Sequence, residues 1–256
     1  MIDLHCHVLP GIDDGPKTID GSIALGRAAA AAGTRTIVAT PHVSDRYRNN
    51  ARTIARLVEA INVAFAAAGL ALEVLPGAEI ASSRIADLAR EELAALTLGG
   101  GRWLLVECPF TAAASGFDVP LLYLRDQGYS IVLAHPERSP GFHRDPQMLR
   151  SLVRAGMLTS ITAGSLVGVF GAHVRRFALK LVQEEMVHNV ASDAHDHVHR
   201  PPTIAGELER AGLAPLADWL TRAVPAAILS GEDIEPRPKV PLAIAEPARW
   251  PWRHRR

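Results

Sequence analysis

The chain has 256 residues, 48% of them hydrophobic, with 27 Lys+Arg set against 27 Asp+Glu. That composition supports a sizeable core and excludes a disordered chain, and the balanced charge gives no global field favouring nucleic acid, an acidic polymer or a membrane face. Cys6 and Cys108 are too few for a disulfide framework, and neither a secretory leader nor a bilayer-length apolar run is read, so a reduced cytoplasmic setting is expected.

The first predicted strand, at about 2–8, carries His5 and His7. Residues two apart on a strand point the same way, so the two imidazoles can close on one ion from one side. Asp13 and Asp14 follow in a Gly-bounded loop. Ile19, Ile23, Ala30 and Ala31 recur at helical spacing and Gly33 closes that helix. A second strand, at about 35–40, runs into His42. Ile54, Leu57, Val58, Ile61 and Phe65 mark the next helix, stopped by Gly69, and a strand at about 71–76 leads to Glu79.

Strands at about 102–107 and 130–134 follow, the latter delivering His135. Two more, at about 157–162 and 187–191, end the series, with Asp193 and His195 just past the last. Roughly seven strand–helix units result, and right-handed crossovers would wind them into a parallel, barrel-like sheet. One domain is expected over 1–230, followed by a Pro-rich tail at 231–256 that turns basic and aromatic at Trp250–Arg256. That tail is expected to be loosely ordered.

The recurrence of a His, Asp or Glu just after a β-rich run is the informative pattern, because active sites of parallel α/β folds form at that edge. His5, His7, His42, Glu79, His135, Asp193 and His195, with Asp13 or Asp14, are too many ligands for one ion. Two or three divalent ions fit that number, and Glu79 is the natural bridging carboxylate. Such a cluster activates water and neutralises a bound anion, which points to hydrolysis. Arg138, three residues past His135, and Arg200, five past His195, suit a phosphate through their planar fork. His143, His173, His188 and His254 lack neighbouring ligand patterns and are expected on the surface or on helices.

These motifs resemble the polymerase-and-histidinol-phosphatase (PHP) superfamily, most closely its bacterial protein-tyrosine phosphatases of capsule and exopolysaccharide gene clusters. The resemblance is carried by His5-Cys6-His7, Asp13-Asp14-Gly15-Pro16, Ala39-Thr40-Pro41-His42, Pro76-Gly77-Ala78-Glu79 and Ala134-His135-Pro136-Glu137-Arg138. It continues through Ile161-Thr162-Ala163-Gly164-Ser165-Leu166, Ala191-Ser192-Asp193-Ala194-His195 and Arg200-Pro201-Pro202. The run spans residues 5 to 202 in family order. Two departures are read: Asp196 stands where the branch usually has Asn, and Val106-Glu107-Cys108-Pro109 replaces a usual Glu-Phe-Pro.

The resemblance implies a distorted TIM-like (β/α)7 barrel of the PHP type holding a manganese-preferring cluster, with iron, zinc or cobalt as other ions such ligands accept. It implies His5, His7, Glu79 and Asp193 on one ion, His42, Glu79 and His135 on a second, and Asp14 and His195 on a third. Arg138 and Arg200 would bind phosphate, a metal-bridging hydroxide would attack phosphorus, and His199 and Asp196 are the candidate general acids. The implied substrate is phosphotyrosine on a protein tail, expected on a bacterial tyrosine kinase controlling capsule or exopolysaccharide synthesis. The alternative is a small phosphomonoester such as histidinol phosphate. A cysteine-phosphatase loop is not expected around Cys6, because position 12, where that loop needs Arg, is Ile12.

Overall fold

The computed structural model describes residues 1–112 and 116–244. Among these residues the strands are β1 (Ile2–Cys6), β2 (Thr36–Ala39), β3 (His42–Val43), β4 (Glu73–Pro76), β5 (Glu79–Ala81), β6 (Trp103–Glu107), β7 (Ser130–Ala134), β8 (Leu158–Thr162) and β9 (Asn189–Ala191). The α-helices are α1 (Ile19–Ala31), α2 (Ala51–Ala67), α3 (Arg90–Ala95), α4 (Asp118–Asp126), α5 (Pro140–Arg144), α6 (Pro146–Arg154), α7 (Ala163–Val167), α8 (Ala172–Gln183), α9 (Ala205–Arg210) and α10 (Val224–Ser230). All seven expected strands form, and the two expected early helices are α1 and α2. Thr18 caps α1 by accepting from Gly21 N–H, and Asn50 Oδ1 caps α2 by accepting from Thr53 N–H.

The strands divide into a three-stranded sheet, β1-β2-β4, and a six-stranded sheet, β3-β5-β6-β7-β8-β9, and neither closes on itself. Every ladder pairing is parallel. The short strands β3 and β5, not expected from the periodicity, continue β2 and β4 after a break. Pro41 lies in the first break and has no N–H to give to a ladder. Gly77 lies in the second, where a Cβ would stand 2.7 Å from Val38 Cγ1. The break re-aims the chain so that His42 and Glu79 sit opposite each other in the β3–β5 pairing.

At the other side, β1 meets the end of β9. Cys6 and Ala194 form an isolated parallel bridge, Asp193 N–H donates to the His5 carbonyl (2.8 Å), and His7 N–H donates to the Ala194 carbonyl (2.9 Å). The fully buried Asp3 carboxylate reinforces this seam. Its Oδ1 accepts from Ser192 N–H (3.1 Å) and its Oδ2 from the Ser192 hydroxyl (2.5 Å). Strand residues such as Leu4, Ile37, Leu105, Val132 and Ile161 fill the core between sheet and helices.

After Gly231 the described chain carries no helix or strand, yet it is not the loose tail expected. Ile234, Val240, Leu242 and Ile244 pack against the core, Trp219 Nε1–H donates to the Glu235 carbonyl (3.0 Å), and Arg237 donates to the Val182 carbonyl (2.8 Å). The basic, aromatic Trp250–Arg256 stretch and His254 lie outside the described residues. No helix among the described residues is long and apolar enough to cross a membrane.

Candidate metal centre

The ligand-type side chains converge at the C-terminal edge of the strands, as their position after each apolar run requires. Two of them are delivered by left-handed backbone: His135 has φ 35° and Asp193 φ 51°. Non-glycine residues rarely hold that conformation, and it persists where surrounding contacts over-determine it, most often at functional sites. At Asp193 those contacts are the seam bonds to β1. At His135, its N–H donates to the Ser160 carbonyl (2.8 Å) as the chain turns into Pro136–Arg138.

His5, His7 and Asp193 offer atoms close enough together to hold one ion, and Glu79 stands beside the two imidazoles. His5 Nε2 lies 3.2 Å from His7 Nε2, 3.4 Å from Glu79 Oε2 and 3.5 Å from Asp193 Oδ1. His7 Nε2 lies 3.5 Å from Glu79 Oε2 and 3.6 Å from Asp193 Oδ1. Metal–ligand bonds of about 2.1 Å give ligand–ligand edges of about 3.0–3.4 Å in octahedral or tetrahedral shells, so the spacing fits a divalent ion. Around the second Glu79 oxygen and its neighbours, His135 Nε2 stands 2.7 Å from Oε1 and His42 Nδ1 2.9 Å from Oε2. Toward the rim, Asp14 Oδ1 lies 3.3 Å from His195 Nε2 and 3.5 Å from His42 Nε2.

Unmet bonding capacity supports the same fit. Glu79 Oε2 and His195 Nε2 are buried without a hydrogen-bond partner of good geometry, which natural proteins rarely tolerate unless something else satisfies the atom. The charges agree. Burial would raise the carboxyls of Glu79 and Asp193, yet His5 and the other neighbouring imidazoles, and for Asp193 Arg200 and Arg138, hold both well below the usual carboxylate range. His7 is pushed up to about 10 because Asp13 and Glu79 outweigh its burial, a measure of how strongly this centre attracts positive charge. Burial lowers His135 and His195, which favours the neutral imidazole a metal needs.

The structure divides the roles of the two loop aspartates that the spacing left open. Asp13 Oδ2 accepts from His7 Nδ1 (2.8 Å) and from the backbone N–H of His42 (3.1 Å), so it orients the His7 imidazole from behind and ties down the start of β3. Asp14 alone faces His42 and His195. The loop approaches β1 closely enough that a Cβ on Gly15 would stand 2.4 Å from the His7 carbonyl oxygen. Glu107, seen in the sequence only as part of a departure from the family pattern, also belongs here: it groups with His42 and Glu79. Its burial, with Glu79 alongside, pushes its carboxyl up to about 7. It ends β6, so the strand-end signal that found the other ligands could have found it.

Both arginines reach the cluster through one atom. Arg138 and Arg200 each donate to Asp193 Oδ2 at 2.6 Å, while the Oδ1 of the same carboxylate faces His5 and His7. Arg200 Nε is buried without a partner, a donor left for an anion. Arg138 packs on two phenyl rings, its guanidinium carbon 5.1 Å from the Phe110 centroid and 4.3 Å from that of Phe170. Arg138, Arg200 and Phe110 line a cavity of about 150 Å³ together with Asp14, His42, Glu79, Glu107, His135, Asp193 and His195.

The two candidate general acids lie elsewhere. His199 is 86% exposed, and neither it nor Asp196 lines this cavity. Asp196 Oδ1 accepts from the N–H groups of Val198 (2.6 Å) and His199 (2.5 Å), closing the turn before Arg200. Those bonds outweigh its slight burial and hold its carboxyl below the usual range, the wrong direction for a proton donor. Of the remaining histidines, His143 stacks on His173 with ring centroids 4.6 Å apart, and His188 is no surface residue: it leads into β9 and accepts from Thr159 N–H (3.2 Å). Cys6 and Cys108 are free, buried and pushed up by that burial, as packing thiols should be.

The similarity of this chain to known proteins is specific. The sequence model of the capsular polysaccharide synthesis family CpsB/CapC matches residues 1–211. Tyrosine-protein phosphatase YwqE of Bacillus subtilis (strain 168) is 39% identical over 202 residues, covering 77% of this chain and 78% of that protein. Tyrosine-protein phosphatase CpsB of Streptococcus pneumoniae is 29% identical over 208 residues, covering 79% and 86%. Among solved structures, one from the work on YwqE of B. subtilis and CpsB of S. pneumoniae, described as unique metal-dependent tyrosine phosphatases, superposes with a TM-score of 0.81. It shares 34% identity and covers 92% of this chain and 96% of that one.

Proposed function

This chain belongs to the CpsB/CapC family of capsular polysaccharide synthesis, and on that footing we propose that it is a metal-dependent protein-tyrosine phosphatase. The observation that carries the reading is the pairing of two recognition devices on one residue. Asp193 turns Oδ1 to His5 and His7 and Oδ2 to both arginines, so an ion held on the one side and a phosphate bound by the arginines on the other would share one carboxylate. The ions in mind are two or three manganese ions. His5, His7, Glu79 and Asp193 would hold one, His42, Glu79 and His135 a second, and Asp14 and His195 a third, with Glu107 an added ligand near the second.

When bound, these ions supply a water of lowered pKa and neutralise charge on the phosphate. The protein's own groups do the rest. Arg138 and Arg200 orient the phosphate oxygens, and their fork geometry favours the in-line approach of water opposite the ester oxygen. Phe170, the closer ring on Arg138, limits its rotamers. Phenolate is a competent leaving group, so an exposed His199 need not protonate it.

A cavity of about 150 Å³ is smaller than the roughly 300–1,000 Å³ of pockets that enclose a whole metabolite. It admits the phosphate and leaves the rest of the ester outside, which favours a protein tail over histidinol phosphate. The expected tail belongs to a bacterial tyrosine kinase of capsule or exopolysaccharide synthesis, met in the cytoplasm. The fold we envisage is a distorted seven-unit barrel over 1–230. The continuation of β2 into β3 and β4 into β5, and the β1–β9 seam, support that closure.

Phosphate release from a tyrosine-phosphorylated peptide and from histidinol phosphate, with manganese and after chelation, tests the function. Manganese-dependent release favouring the peptide is expected. Preference for histidinol phosphate would move the substrate to metabolism and keep the metal mechanism.

A further inference from the structure

We propose that Phe110 is the aryl subsite of this enzyme, the ring on which the phenyl group of a phosphate ester rests while its phosphate lies among the cluster. The proposal rests on the phosphatase reading above and names the side chain that makes the site choose an aromatic ester. Among the described residues, nine of the ten side chains lining the cavity are ionisable; the tenth is Phe110. It stands three residues beyond Glu107, at the end of β6, and keeps 49% of its surface exposed. Half-exposed and lining the cavity, it forms part of the rim.

Its neighbours fix where an ester would meet it. The ring centroid is 5.3 Å from that of His135 and 5.1 Å from the guanidinium carbon of Arg138. A phosphate bound by Arg138 and the metal-facing groups therefore has Phe110 beside it, and the cavity's small volume leaves the ester substituent at this rim. Phe170 is not equivalent. It approaches Arg138 more closely, at 4.3 Å, and lines the adjoining pocket with Val169 and Pro201 instead of this cavity. Phe170 is the closer ring on Arg138, while the half-exposed Phe110 keeps surface open to a substrate. Stacked or edge-to-face aromatic pairs strengthen binding by about 2- to 10-fold beyond the effect of area alone.

The test measures binding of two stable anions, phenylphosphonate and methylphosphonate, to the manganese-loaded protein, in wild type, Phe110→Ala and Phe110→Tyr, with bound manganese assayed in each. Wild type is expected to prefer phenylphosphonate about tenfold, with the preference falling toward unity in Phe110→Ala and returning in Phe110→Tyr. A wild-type ratio near one, or a ratio that survives in Phe110→Ala, overturns the proposal. So does an equal loss of both ligands, which would make Phe110 only a support for Arg138. Turnover of a tyrosine-phosphorylated peptide is read in parallel. A wild type that shows the aryl preference yet releases no phosphate overturns the proposed function and leaves the subsite standing.

Discussion

The floor and the rim of the cluster are built on different principles. On the floor, His5, His7, Glu79, His135 and Asp193 are all nearly fully buried, and each is carried on or just past a strand. Ladder bonds, the Asp3–Ser192 contact and Asp13 behind His7 fix them before any ligand arrives. At the rim, Asp14 and Phe110 stand on loops and are substantially exposed, as are Asp196 and His199 farther out, beyond the cavity. A strand end places a side chain through many shared hydrogen bonds; a loop places it through a few local ones. The floor should therefore hold metal and fail sharply when altered, while the rim should tune substrate and fail gradually.

Glu79→Ala removes the one carboxylate shared by two ligand sets. Phosphatase activity should fall about 10³-fold or more, with loss of bound manganese by elemental analysis. Near wild-type turnover with full metal content would dissolve the distinction between floor and rim. Arg138→Lys keeps the charge and loses the bidentate fork, so kcat should drop about 10²-fold with metal content unchanged. Metal loss in that variant would move Arg138 into the structural floor. Asp13→Asn weakens the support behind His7, and manganese affinity measured by titration calorimetry should fall about 10- to 100-fold.

Glu137 joins the two regions and gives a smaller, pH-dependent effect. It is fully buried, and its Oε1 accepts from Thr162 N–H (3.0 Å) and the Ser165 hydroxyl (2.6 Å), tying the Arg138 turn to α7. Burial pushes its carboxyl up to about 7 against the ordinary 4.5. The folded state thus holds a proton that the unfolded chain releases. The stability this contributes is complete below about pH 4.5 and lost as pH rises through about 7. Urea unfolding at pH 5 and pH 8 should show wild type losing roughly 1–3 kcal/mol relative to Glu137→Gln, which cannot titrate. A pH-independent difference would mean the carboxyl is already charged in the fold. The smallest effect belongs to the outer rim: His199→Ala should change kcat less than about twofold, and a loss of tenfold or more would restore it as the general acid.

Much of the floor is legible in the amino-acid order alone. The strand-like runs ending at Ala39, Ala134 and Ala191 show themselves because β-branched residues and alternation are local signals, and candidate ligands follow each within three residues. The interruptions that create β3 and β5 do not, since a break at Pro41 or Gly77 matters only through the neighbouring strand. Glu107 ends β6 by the same rule as the other candidate ligands, yet in the sequence it is submerged in a stretch that departs from the family's Glu-Phe-Pro at Cys108. His199 and Asp196 invite a catalytic role by their closeness in sequence to His195. In the fold Asp196 is occupied in bonding its own turn.

The sequence by itself determined that a parallel α/β chain would present imidazoles and carboxylates along one edge, since strand period and strand ends are properties of a few consecutive residues. It also carried the family likeness that names the chemistry. Only the tertiary structure decided which aspartate touches His7, that both arginines share one oxygen of Asp193, and that Phe110 reaches the cavity. Those facts depend on partners far apart in the chain, Asp3 with Ser192 across 189 positions and Arg138 with Asp193 across 55, whose meeting is fixed by sheet register and loop conformation.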